Sequence, residues 1–218
     1  MTPSRLGARA SRCIAERGRQ PRRIGPGAVG FLLLLAIPSA EAHLNSTGLG
    51  PVYDGLTHFL TSPEDLVSAL ALALLAGLRG VEHGRRAAFV LPVAWLLGML
   101  PGLNVPALSI GAFGAAVALL VLGGLVVADV NISLRALTAL GALLGLVHGF
   151  LNGSGMGLTG SSIAAALGIV SAVFVLVVLV TACVAALRTG WARIAVRVGG
   201  SWIAASGLLM LGWSFRGG

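Results

Sequence analysis

Long apolar runs separated by short polar connections dominate this chain after its first quarter. Six of them, at about 62–78, 87–103, 106–128, 133–151, 162–187 and 193–215, reach the length needed to cross a bilayer. At 1.5 Å per residue, about 17–25 helical residues span a hydrocarbon core of about 30 Å. The pattern therefore predicts an all-α fold, a polytopic membrane bundle of six transmembrane helices. A shorter apolar run at 28–38 follows Arg22-Arg23 and leads into Ser39-Ala40-Glu41-Ala42. A basic flank, a short apolar core and a small-x-small end make a signal peptide cleaved after Ala42. An uncleaved anchor helix is the alternative, and the residues after Arg22-Arg23 fit a twin-arginine signal poorly. The chain then divides into 1–42, a signal peptide with an extended basic leader; 43–61, an outer or re-entrant segment; and 62–218, the transmembrane domain. Ser62-Pro63-Glu64-Asp65 reads as a helix start, with a capping serine, proline at the first position and two carboxylates on the macrodipole.

Composition agrees: 56% of residues are hydrophobic, 10% are charged and the mean hydropathy is +0.95. The formal charge of +8 suggests nucleic acid at first, but seven of the fifteen arginines precede Ala42. Eight arginines against Asp54, Glu64, Asp65, Glu82 and Asp129 leave the mature chain at +3. Seven of those eight have a topological use, and only Arg216, in the tail, sits on the opposite side. Arg79, Arg85 and Arg86 fall in the first connection between helices, Arg135 in the third, and Arg188, Arg193 and Arg197 in the fifth, while the second and fourth carry none. The basic connections belong in the cytoplasm. The mature amino terminus is then outside, as the signal peptide independently requires, and a nucleic-acid partner is rejected. With Cys13 in the leader, Cys183 stands alone in the mature chain, which excludes an internal disulfide or a cysteine metal site.

The remaining chemistry is carried by few residues. Cleavage after Ala42 makes His43 a terminal histidine, able to chelate a divalent ion through its α-amine and Nδ1. His58 lies four residues after Asp54, one helical turn on. A carboxylate with a neutral imidazole suits nickel, cobalt, zinc or copper. His148 and Asn152 share one face of the fourth apolar helix, and polar groups at such depth usually mark a site or a path. His43, Asp54, His58, His148 and Asn152 are the predicted metal-ligating residues. His83 and Glu82 read as a solvated inner connection or a release point, and Asp129 as an interfacial charge. Gly141, Gly145, Gly149 and Gly153 form a ridge that lets a second helix approach closely. Ser154 near His148 superficially suggests an intramembrane serine protease, but no histidine follows residue 148 to act as its base.

The run from His43 through Asp54 to His58, then Ser62-Pro63-Glu64-Asp65-Leu66 and Val147-His148-Gly149, resembles the HupE/UreJ family over the whole mature chain. The resemblance implies a small multi-pass protein of the bacterial inner membrane rather than an enzyme. Such proteins are regarded as nickel permeases or metal-delivery accessories of hydrogenase and urease. The family frame has an early His, five residues, then Asp-His, followed by Phe-His-Gly, two residues, His-Gly and a Glu. Here Asn152 stands where the second helical His would be and Gly155 where the Glu would be. The function expected is import of a divalent transition metal, nickel first and cobalt or copper next, by a facilitator with no organic cofactor. The alternative is a non-transporting accessory that binds metal for a metalloenzyme and its maturation proteins. Amino-terminal sequencing of the purified protein should read His-Leu-Asn; an intact leader would remove the His43 chelate.

Overall fold

In the computed structural model, which describes residues 47–107, 111–157 and 162–215, every regular element is an α-helix. Seven occur among these residues: α1 (Pro51–Thr61), α2 (Pro63–Arg79), α3 (Val81–Gly102), α4 (Gly111–Val127), α5 (Leu134–Met156), α6 (Ser162–Ala185) and α7 (Gly190–Ser214). The expected signal peptide, its expected cleavage site and His43 lie outside the described residues. By length and composition, α5, α6 and α7 can each cross a membrane, and α1 with α2 qualifies as one bent unit, giving up to four spans. Trp191 and Trp213 are exposed near the two ends of α7. Their separation of roughly 33 Å along the helix matches two interfacial aromatic belts.

Two departures from the apolar pattern have local causes. Helix α3 starts at Val81 rather than near residue 87. Glu82, Arg85 and Arg86 point outward from its first turns, while Gly84, Ala87 and Ala88 are buried. Residues that read as a connection are thus the polar face of a helix. The segment before residue 62 forms α1, which meets α2 at an angle of 74°. Ser62 at the break is extended (φ −91°, ψ 97°), as a residue before proline prefers. Pro63 then opens α2 at a position where its missing N–H has no intrahelical partner to lose.

Helix α2 is the centre of the fold and touches each of the other six described helices. Its Ala69, Ala71, Leu72, Ala73, Leu75 and Ala76 are fully buried. A helix that is apolar on all sides belongs in such a position. Helices α3 and α5 form the most extensive pair, α1 lies against α6, and α4 packs with α7. At its basic end α2 is clasped: Asp129, in the left-handed region at φ 48°, pairs with Arg79 of α2 and reaches Arg193 of α7 at 3.5 Å. Arg193 also donates to the Leu78 carbonyl at 3.2 Å, and Arg197 Nε to the Val127 carbonyl at 2.8 Å. The interfacial aspartate thus joins α2 and α7 at the end of α4.

The glycine ridge of α5 lies on α3. A Cβ on Gly145, Gly149 or Gly153 would run into the α3 backbone at Leu91, Trp95 and Met99, and one on Gly98 of α3 would run into Leu146. Neither helix can relax by moving a side chain, because the obstacle is main chain. Gly149→Ala should therefore lower stability by at least ~2 kcal/mol, at the upper part of the range for overpacking. Gly124→Ala, where a Cβ meets nothing within 4 Å, should be neutral. Thermal unfolding of both variants in detergent checks this, and equal melting points would contradict the seam.

Candidate metal-handling site

The polar residues that an apolar bundle buries are few, and four of them converge. Asp65, in the first turn of α2, is 5% exposed, and His148 and Asn152 of α5 are 4% and 9% exposed. His148 Nδ1 donates to Asp65 Oδ1 at 2.7 Å, and Asn152 Nδ2 donates to Asp65 Oδ2 at 2.9 Å. The spacing of four residues puts His148 and Asn152 on one face of α5. Gly149 and Gly153 beside them hold that face against α3. His58, in the last turn of α1, is also buried; it lies beside Asn152 and in the field of Asp65. That contact falls short of a full hydrogen bond, since Asn152 Oδ1 is buried with no partner.

An aromatic wall closes the group. Trp95 of α3 is fully buried with its ring centroid 5.3 Å from that of His148, tilted by 34°. Phe59 of α1 meets Trp95 edge-on at 5.9 Å and 81°. The stack Phe59–Trp95–His148 keeps water from one side of the imidazole, and Trp95 Nε1 is itself buried without a partner. Polar groups in such surroundings interact more strongly than in water.

Because both Asp65 oxygens accept hydrogen bonds, the carboxylate orients its neighbours. Engaging Nδ1 of His148 as a donor leaves Nε2 as the nitrogen with a free lone pair. A carboxylate behind a histidine in this way fixes the tautomer and the orientation of the ring. The donors left for a cation are His148 Nε2, the His58 imidazole and Asn152 Oδ1. Among the described residues, no three His, Cys, Asp or Glu side chains are grouped so as to hold a metal ion together.

The structure thus brings His58, His148 and Asn152 together and adds Asp65. Asp54 is not in this group: its Oδ1 accepts from the amide and hydroxyl of Thr47 at 2.5 and 2.6 Å. One turn separates Asp54 from His58, yet His58 is turned inward and Asp54 stays partly exposed. At the other end, His83 is half-buried rather than solvated, and its Nε2 meets the Ile132 carbonyl at 3.2 Å. Asp65 had read as a helix-start charge, which is the commonest role for a carboxylate in a first turn. A signal for it existed: His58 and Asp65-Leu66, with six residues between, fit the frame of a His, five residues and Asp-His better than Asp54 and His58 do.

No curated protein and no solved structure matches the chain. The family model described as HupE / UreJ protein matches residues 31–210, more than four-fifths of the sequence. That span takes in every residue of the buried polar group and all but the last turn of α7, and on this match the chain belongs to the HupE/UreJ family.

Proposed function

We propose that the protein is a facilitator for inward passage of a divalent transition metal across the bacterial inner membrane. It has six transmembrane helices after a cleaved signal peptide, with the mature amino terminus outside. The observation that carries this reading is the Asp65–His148 hydrogen bond, which leaves the second imidazole nitrogen in a buried, aromatic-walled position. Imidazole nitrogen with an amide oxygen suits borderline ions, and nickel is favoured by the family's association, with cobalt or copper next. Two imidazoles and one amide oxygen form a weak donor set. Weak binding suits passage, where an ion must leave as readily as it arrives.

In this reading the ion meets His43 and Asp54 first, sheds water at His58, His148 and Asn152, and leaves toward Glu82 and His83. Asp65 is a positioning residue, acting through His148. The accessory reading, in which the same group holds metal for maturation proteins of a metalloenzyme, differs in one measurable respect. It gives stoichiometric binding without flux.

Metal accumulation by cells lacking other importers tests the proposal. Expression of the wild type should raise uptake of nickel or cobalt, and His148→Ala should abolish the gain. Asp65→Asn should weaken metal affinity roughly 10–100-fold, the usual effect of losing a residue that orients a ligand. Asp54→Ala should raise the half-saturating concentration while keeping maximal uptake. Equal uptake by wild type and His148→Ala would sink the idea; binding without flux in reconstituted vesicles would favour the accessory.

A further inference from the structure

At the basic end of the bundle, well away from Asp65, a cavity of about 420 Å³ opens between the first turns of α3 and the last turns of α6. Its walls are almost entirely apolar, formed by Ala88, Phe89, Phe174, Val178 and Ala182 among others. Gly84 marks the narrow side, since a Cβ there would touch Thr181. Phe89 and Phe174 close the far end, with ring centroids 6.0 Å apart at 52°. The one charged residue in the lining is Arg85.

Arg85 is exposed and makes no ion pair or hydrogen bond among the described residues. The carboxylates at this end do not neutralise it. Asp129 is taken by Arg79 and Arg193, and Glu82, three residues before Arg85, points outward from α3 without a partner of its own. Arg86 adjoins it on α3, and Arg188 follows the cavity-lining Ala186 by two residues, so around this end one carboxylate is set against three arginines. The net charge at the mouth is positive, and the interior behind it is greasy. The lining itself offers a cation no carboxylate or imidazole, and a soluble anion gains nothing from the apolar walls.

We propose that this groove binds one anionic phospholipid of the cytoplasmic leaflet. Its phosphate sits on Arg85, and one acyl chain lies along the wall of α3 and α6 as far as Phe89 and Phe174. The basic end of the protein faces that leaflet by the distribution of arginines between helices. Basic residues beside a cleft between helices on that side are suited to lipid head groups. The groove shares no residue with the buried polar group, so this binding stands or falls apart from metal passage.

Native mass spectrometry of the full chain in detergent, titrated with phosphatidylglycerol or phosphatidylcholine of identical chains, tests it. The wild type should retain one phosphatidylglycerol in preference to phosphatidylcholine. Arg85→Ala should reduce that preference roughly fivefold, the weight of one arginine near an anionic surface. Ala182→Phe, which fills the groove, should lose both lipids. Arg85→Ala alone decides the head-group contact, because the side chain is exposed and its removal leaves the core intact. Equal binding of the two lipids by the wild type, or an unchanged preference in Arg85→Ala, would overturn the proposal.

Discussion

A carboxyl group inside an apolar helix bundle is expensive unless each of its oxygens finds a donor. Asp65 finds two, and both come from one helix. His148 and Asn152 hold the start of α2 to the C-terminal half of α5, and the position of α2 governs everything it touches. Removing one partner would leave a buried polar group uncompensated, at a cost of several kcal/mol in a fold whose whole stability is of the order of ten. The interaction is therefore structural and chemical at once. It places the helix, and it sets which nitrogen of His148 is left without a carboxylate partner.

The two ends of α2 are held by different physics. The Asp65 end has aromatic walls and directional hydrogen bonds. The Arg79 end is an ion-pair clasp through Asp129, partly open to water and shared with α7. Helices α4 and α7 pack on each other, and α2 joins them to the remainder. A change at one end of α2 has a mechanical connection to the other, along a helix of 17 residues or about 25 Å.

Much of this was legible from the chain alone, for identifiable reasons. Helices α2, α5, α6 and α7 announce themselves by apolar length. His148 and Asn152 stood out because polar side chains one turn apart are rare in such a segment. The glycine ridge was readable because its spacing matches the helical repeat. Asp65 was hidden by its location, since a carboxylate next to a helix-opening proline already has an ordinary explanation. Asp54 misled for the opposite reason: its spacing to His58 is right for one helical face, but a loop residue, Thr47, competes for it. The start of α3 was obscured because Arg85 and Arg86 look like a connection until Gly84, Ala87 and Ala88 are seen facing inward. Partners 83 and 87 residues away in sequence cannot be read from local pattern.

The seam between α3 and α5 has a consequence for how such a site changes over time. Backbone against backbone leaves no slack, so the frame that carries positions 95, 148 and 152 is set by glycines that are not themselves donors. Side chains projecting from that frame can be exchanged singly, imidazole for amide or carboxylate for nothing, while their Cα atoms stay put. The chemistry of the buried polar group can then drift by small steps at constant geometry. The rigid part of the protein is its least chemically active part, and that rigidity gives the active part its freedom to vary.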